Sequence, residues 1–138
     1  MKTYIKIALF VVFFLGLAGI LGGLYMYNLK QKDMAKAKPD FAISATILQK
    51  EFEDDETRAS AKFINKIVEV TGIIASVKPT ENNGISVILE TGSDFSSVIC
   101  TFTVVKDAEM LKQGEEITIR GECSGFLMDV LLNNCVIK

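Results

Sequence analysis

The chain has 138 residues, of which 49% are hydrophobic and 23% are charged, and its formal net charge is −2. One small domain fits into this length beside a targeting segment, because domains commonly have about 100 to 150 residues. Six of the fifteen basic residues lie at or before Lys38, so residues 39–138 carry nine basic and sixteen acidic side chains, a net charge of −7. An acidic domain repels the phosphates of nucleic acids unless its few cations gather on one face, which disfavours a nucleic-acid partner.

The first predicted element is a membrane-spanning helix over residues 7–27 (IALFVVFFLGLAGILGGLYMY), which contain no charged side chain. A helix rises about 1.5 Å per residue, so this length crosses the roughly 30 Å hydrocarbon core of a bilayer. Residues 1–6 then form a short N-terminal tail, and the membrane is a predicted partner. The alternative is a cleaved signal peptide, whose apolar core is usually shorter, at about 7 to 15 residues.

A polar linker and a helical segment follow the apolar run. Residues 28–40 (NLKQKDMAKAKPD) are polar and charged, which predicts a tether between the membrane and a folded domain over residues 41–138. Ser44 is the predicted cap of a first helix, whose apolar residues recur at spacings of three and four. Asp54 or Asp55 is the predicted cap of a second, shorter helix.

From residue 67 onward the hydrophobic period becomes that of β-strands, and five strands are predicted, at residues 67–77, 85–91, 96–103, 115–123 and 129–138. A short helix is predicted between the third and fourth strands, over residues 106–114. This order is typical of the OB-fold, a five-stranded Greek-key barrel. The predicted fold class is therefore mainly β: an OB-fold barrel with an N-terminal helical segment, preceded by one transmembrane helix. A two-sheet sandwich is the alternative.

Residues 36–138 resemble a known family. The resemblance depends on the combination of VICTF with GEEITIRGECSGFLMDVLLNNCVIK, and on the segment that begins AKAKPDFAIS. This part of the chain is similar to the membrane-associated tRNA-anticodon-like (tRNA_anti-like) OB-fold family of bacterial proteins. The resemblance implies an OB-fold domain that is exported behind an anchored N-terminus. The family's name records a fold analogy and does not by itself assign an activity on tRNA.

The side of the membrane is predicted from two opposing signals. Lys2 and Lys6 precede the apolar run and four lysines between residues 30 and 38 follow it, so the positive-inside rule alone favours a cytoplasmic domain. A leader with Lys2 and Lys6 is also the ordinary arrangement of an exported protein, and the family resemblance implies export. The predicted location is the bacterial inner membrane, crossed once, with the C-terminal domain on the extracytoplasmic (periplasmic) side.

The three cysteines, Cys100, Cys123 and Cys135, do not have the spacing of a metal or redox site. The chain contains no histidine and no CxxC pair, so neither a zinc site nor a thioredoxin-like pair is predicted. In an oxidising compartment, Cys123 and Cys135 are predicted to form a disulfide that stabilises the domain by about 3 kcal/mol, which leaves Cys100 as a buried thiol. A bond between Cys100 and Cys123 is the alternative, and three buried thiols are expected in the cytoplasm.

No combination of side chains in the sequence is typical of catalysis, so the protein is predicted not to be an enzyme and no cofactor is predicted. Adjacent carboxylates such as Glu115 and Glu116 point to opposite faces of a strand, and the serines lack a base in any recognisable pattern.

OB-folds that bind single strands combine a basic groove with stacking aromatics, whereas residues 85–105 contain no Lys or Arg and only Phe95 and Phe102 as aromatic side chains. This composition disfavours nucleic-acid binding. Binding of a single-stranded or tRNA-like nucleic acid is therefore the second, alternative function.

The predicted function is that of a non-catalytic, membrane-anchored OB-fold module that binds or scaffolds a protein or envelope ligand. Two loops are candidate ligand sites, because the loops after the first and fourth strands border the usual OB ligand face. Their candidate residues are Asn82 and Asn83 in the first loop and Phe126 and Met128 in the second. Together with Leu127, the latter two form an apolar tip that either contacts a ligand or packs into the end of the barrel.

Overall fold

The structure is a computed structural model that describes residues 1–29, 33–103 and 110–138. It divides into two units, Met1–Asp33 and Met34–Lys138. The first unit contains helix α1 (Lys2–Leu29), which is long and apolar enough to cross a membrane, a property that signal sequences share. The segment predicted to span the membrane is therefore helical throughout, and the predicted tail is helical from its second residue.

The second unit contains two short helices and the strands of one sheet. Among the described residues, the elements in chain order are β1 (Phe41–Ser44), α2 (Ala45–Asp54), α3 (Glu56–Phe63), β2 (Ile67–Pro79), β3 (Ile85–Leu89), β4 (Val98–Phe102), β5 (Glu116–Leu127) and β6 (Asp129–Ile137). Residues 106–109 of the predicted helix over 106–114 lie outside the described residues, and residues 111–114 are not helical.

Strands β2 to β6 close into a barrel. β2 pairs with β3 and with β5, β3 pairs with β4, β4 with β6, and β6 with β5. The β4–β6 pair is parallel and the other pairs of this ring are antiparallel, while β1 lies parallel to the start of β2. A closed ring leaves none of its strands with a free edge, and this connectivity is that of the OB-fold. The predicted barrel is confirmed, and the sandwich alternative is wrong.

Alternate residues of each strand form the interior of the barrel, because side chains of a strand point to opposite faces in turn. On β4, Val98, Cys100 and Phe102 are buried. β5 alternates in the same way, and its buried positions include Gly121 and Cys123. A continuous apolar core therefore fills the barrel.

Helices α2 and α3 pack against the end of the barrel where β2 begins and β5 ends. Ser44 Oγ accepts a hydrogen bond from a backbone N–H of α2 at 3.3 Å, and Asp55 Oδ1 accepts one from α3 at 3.0 Å, which confirms the predicted caps. Phe52 of α2 is buried and stacks on Phe126 of β5, with 5.3 Å between the ring centroids. The helix pair thereby covers the core beside the β5–β6 turn.

Residues 34–40, the second half of the predicted linker, pack on the barrel. Met34 is buried, and Arg120 Nη1 on β5 donates to three carbonyl oxygens of this segment, the shortest distance being 2.7 Å to Ala37. The guanidinium group thus satisfies backbone acceptors that a tether would leave to water. This half is part of the folded unit rather than a free tether.

Candidate functional site

The two loops proposed from the sequence lie at opposite ends of the barrel strands. The Asn82–Asn83 turn joins β2 to β3 beside Phe102, the last residue of β4. Met128 joins β5 to β6 beside Val98, the first residue of β4. Because a strand rises about 3.3 Å per residue, the length of β4 separates the two turns by roughly 13 Å. The structure therefore does not combine them into one site.

A groove of about 680 Å³ surrounds the β5–β6 turn. Its lining residues come from the α2–α3 connection, the segment before β4 and the turn itself: Glu53, Glu56, Phe95, Ser96, Phe126, Leu127 and Met128. Phe95 is 84% exposed, Leu127 77% and Met128 74%. Phe126, held by its stacking on Phe52, forms the floor of the groove. Of the predicted apolar tip, only Phe126 packs into the barrel end, while its two neighbours face solvent.

Met128 has a backbone conformation that is unusual for a large apolar residue. Its φ angle is 68°, in the left-handed region that glycine and asparagine adopt more readily. Hydrogen bonds from the segment before β4 hold the turn: Ser96 Oγ donates to the Met128 carbonyl, and the Ser97 N–H donates to Asp129 Oδ1 at 2.7 Å. The same bonds fix Phe95 beside Met128, so the exposed apolar side chains are presented together.

The groove is acidic. Among the described residues that line it, Glu53 and Glu56 are carboxylates and none is basic. Glu56 is in the first turn of α3, where a negative charge is favoured by the helix dipole. Glu53 is near the end of α2 and accepts a hydrogen bond from Ser93 Oγ at 3.5 Å. The combination of exposed apolar groups with carboxylates is complementary to a ligand that carries apolar and cationic groups.

The outer face of β3 and β4 binds nucleic acid in many OB-folds, but here it has few of the side chains that such binding requires. Within the described part of the chain, residues 85–103 include no Lys or Arg. Phe102 points into the core and is buried. Asn82 and Asn83 are exposed, and Asn83 has a φ angle of 58°, which accounts for an asparagine at this turn. This face lacks the stacking aromatics and cations that single-strand binding requires.

All three cysteines are buried free thiols in the barrel. Burial raises the pKa of the Cys123 thiol to about 11, and a hydrogen bond with the Cys135 side chain raises the pKa of Cys100 well above its ordinary value. The residue opposite Cys123 on β6 is Leu132 rather than Cys135. The disulfide between Cys123 and Cys135 stays a prediction. Separately, the described residues contain no group of three or more His, Cys, Asp or Glu side chains arranged to hold a metal ion.

The sequence pattern does not mark Phe95, Glu53 or Glu56 as site residues. Phe95 is an aromatic residue in the polar turn segment GSDFSS, and an exposed aromatic there was the one signal that the sequence offered. The two glutamates resemble ordinary residues at helix ends. Their place in the groove depends on the packing of α2 and α3 beside the β5–β6 turn.

Comparison with known proteins agrees with this architecture. The family model named tRNA_anti-like matches residues 1–137. A crystal structure from Klebsiella pneumoniae subsp. pneumoniae MGH 78578, named "putative nucleic acid-binding lipoprotein", is 18% identical and superposes with a TM-score of 0.57 over 69% of this chain and 90% of that one. No curated protein matches the sequence. At this identity the crystal structure supports the fold alone, while the family model covers nearly the whole sequence. The chain belongs to the tRNA_anti-like family.

Proposed function

We propose that this protein is a non-catalytic, membrane-anchored OB-fold module that binds a protein partner on the extracytoplasmic side through the groove at the β5–β6 turn. The observation that carries the proposal is the joint exposure of Phe95, Leu127 and Met128 around one groove. Exposed apolar patches of this kind mark interaction sites when they are contiguous and bordered by polar residues.

The backbone of the turn supports the same proposal. A methionine at a φ angle of 68° is less favourable than asparagine or glycine, and its exposed side chain gains little from burial in the free protein. Residues with strained backbone conformations cluster at functional sites, because selection keeps them where the side chain contributes to function. The function that fits the position of the Met128 side chain in the groove is contact with a partner.

The chemistry of the partner follows from the charges. Glu53 and Glu56 border the apolar side chains, and residues 39–138 carry a net charge of −7. A basic amphipathic segment, with leucine-like side chains for the groove and lysine or arginine beside them, is complementary in both respects. Such charges mainly increase the association rate and the selectivity of binding.

Binding at the groove can be measured with the full chain in phosphatidylcholine nanodiscs. Met128 and Met110 are two of five methionines and are similarly exposed, at 74% and 72%, but only Met128 lines the groove. With ¹³C-methyl methionine, a Lys/Leu amphipathic peptide is expected to shift the Met128 resonance saturably and to leave Met110 unchanged. A Glu/Leu peptide of the same pattern serves as the control. Equal responses to both peptides, or none at Met128, would contradict the proposal.

Nucleic-acid binding is the second candidate function, favoured by the name of the Klebsiella lipoprotein, which has the same fold. Titration of the full chain with a labelled single-stranded 12-mer of DNA or RNA tests it. Binding at about 150 mM salt that weakens steeply as salt is added would establish this function in place of the first. The Glu53→Gln/Glu56→Gln variant separates the two, because loss of the carboxylates weakens binding of a basic peptide and strengthens binding of a polyanion.

The anchor and its orientation form a separate part of the proposal. Helix α1 has the length and composition of a membrane span, and the family match includes it. Protease added to intact spheroplasts is expected to degrade the domain, and the N-terminus of the mature protein is expected to retain residues 2–29. Protection of the domain until lysis would place it in the cytoplasm, and a mature N-terminus after residue 29 would identify α1 as a cleaved signal.

A further inference from the structure

The segment that follows the apolar helix in the sequence contains the cleavage motif of a membrane protease. Residues 35–37 read Ala-Lys-Ala and are called the AKA motif below. Proteases of the signal-peptidase type require small side chains at the first and third positions before the bond that they cut. Ala37 and Ala35 occupy these positions for the bond between Ala37 and Lys38. Hydrolysis of that bond would separate the domain from α1.

The folded domain holds the AKA motif in a conformation that a protease cannot bind. Residues 34–36 form a turn, whereas an enzyme that pairs with the backbone of a peptide binds it as an extended strand. Arg120 Nη1 donates to the carbonyl oxygens of Ala35 at 3.4 Å and of Ala37 at 2.7 Å. The backbone acceptors at both recognition positions are therefore already bound to the barrel.

Contacts on both sides of the AKA motif keep it in place. Before the motif, the Met34 side chain is only 3% exposed. After it, the Asp40 N–H donates to the Ile67 carbonyl at 2.8 Å, and Asp40 Oδ2 accepts from the Ile67 N–H at 2.9 Å. Glu69 Oε2 accepts from Nε of Arg120 at 3.3 Å and from its Nη2 at 3.0 Å, which orients the guanidinium group. The motif can become extended only when several of these contacts are released together.

We propose that the bond between Ala37 and Lys38 is a latent cleavage site, which Arg120 keeps closed while the domain is folded. The proposal rests on the membrane anchor of the proposed function and states what preserves that anchor. Hydrolysis adds one water molecule across the bond and leaves a carboxylate on Ala37 and an α-ammonium group on Lys38. The products are a fragment that contains α1 and a released domain that begins at Lys38. The folded domain thereby controls its own release from the membrane.

Digestion of the full chain in dodecyl maltoside micelles by a purified bacterial signal peptidase measures this closure. Proteolysis of a protected segment follows the fraction of molecules in which that segment is open. Arg120→Met is expected to be cut at least about tenfold faster than wild type, because the carbonyl groups of the AKA motif lose a charged donor. Mass spectrometry gives the rate and identifies the new N-terminus, which is expected at Lys38. Equal rates for the two proteins, no cut in either, or a cut at another bond would overturn the proposal.

Two further variants separate the local contact from a general loss of stability. Val98→Ala removes buried apolar atoms from β4, which pairs with neither β2 nor β5, and leaves Arg120 in place. Its cleavage rate is expected to stay within about twofold of wild type, because local opening does not require global unfolding. Ala35→Phe added to Arg120→Met is expected to restore resistance, since a bulky side chain replaces a small one that the protease requires. Rapid cleavage of either variant would overturn the proposal.

The rate ratio also distinguishes this inference from the proposed function on which it rests. A domain located in the cytoplasm, or a groove that binds neither peptide, would contradict the proposed function and leave the ratio of cleavage rates unchanged. A ratio near one would contradict only the closure of the AKA motif by Arg120.

Discussion

Arg120 on β5 and Glu69 on β2 form an ion pair of 3.0 Å in which each side chain is only 12% exposed. The same guanidinium donates to the carbonyl of Ala37, and Lys138 Nζ lies 3.0 Å from the other carboxylate oxygen of Glu69. One cluster of charges therefore connects residues 34–40 of the folded unit, two barrel strands and Lys138. The three pairs are separated by 51, 83 and 69 residues in the sequence, so the cluster forms only when the barrel closes.

Replacement of Arg120 by methionine is expected to destabilise the domain by about 2 kcal/mol, because Glu69 loses a partner and backbone carbonyls lose a donor. This corresponds to a melting temperature roughly 10 °C lower, measured by circular dichroism of the full chain in detergent. Glu51→Gln is the control, since the Lys62–Glu51 pair is more exposed and is expected to contribute less than about 1 kcal/mol. Similar losses in both variants would contradict the importance given to the Arg120 cluster.

The stability of the domain is expected to fall in acid partly through Glu69. Hydrogen bonds from Lys138 and then Arg120 hold its pKa below the ordinary value of 4.5. Because the folded pKa is lower than the unfolded one, this contribution is complete above about pH 4.5 and is lost as the pH falls through the folded value. Denaturant unfolding between about pH 6 and pH 3 is expected to show a shallower loss in Glu69→Gln than in wild type. Parallel curves would show that Glu69 does not contribute.

Gly121→Ala is expected to destabilise the reduced domain by about 1 to 3 kcal/mol, because the new methyl group overlaps the Cys135 sulfur. In a double-mutant cycle, Cys135→Ala is expected to recover about 1 kcal/mol of that loss by removing the sulfur. Cys123→Ala provides the matched cycle and is expected to be additive, since its side chain is not among the nearest atoms to the added methyl. Equal recovery in both cycles would place the overlap elsewhere.

Met128→Asn is expected to separate binding from stability. Asparagine adopts the left-handed conformation more easily than methionine, so the melting temperature is expected to be unchanged or slightly higher. Binding of the Lys/Leu peptide, followed by fluorescence anisotropy, is expected to weaken about tenfold through loss of an apolar contact. Met110→Asn, at a similarly exposed methionine outside the groove, is expected to bind as wild type does. Weakened binding in both variants would indicate a general rather than a local effect.

The alternation of apolar residues was sufficient to predict the barrel, because burial of one face imposes a period of two on each strand. Val98, Cys100 and Phe102 follow that rule without interruption. The helix caps were also predictable, since Ser44 and Asp55 act on N–H groups only three residues away. These features depend on neighbours along the sequence.

The position of Cys135 was not predictable in the same way. Strict alternation from Leu132 would place Asn134 inside and Cys135 outside, and the bulge at Asn134 reverses this. The groove was not predictable from the sequence either, because Phe95 and Met128 are 33 positions apart. Hydrogen bonds from Ser96 and Ser97 to the β5–β6 turn bring them together. Register and long-range packing decide both features, and neither has a local sequence signal.

The stacking of Phe52 on Phe126 joins the floor of the groove to the helices that cover the core. A molecule that occupies the groove must therefore also restrain the covering helix α2. Any such ligand binds the native state and not the unfolded chain, so it raises the unfolding temperature in proportion to the logarithm of its concentration. A label-free thermal-shift screen of envelope peptides can therefore be used to identify the natural partner. The Met128→Asn variant serves as the negative control.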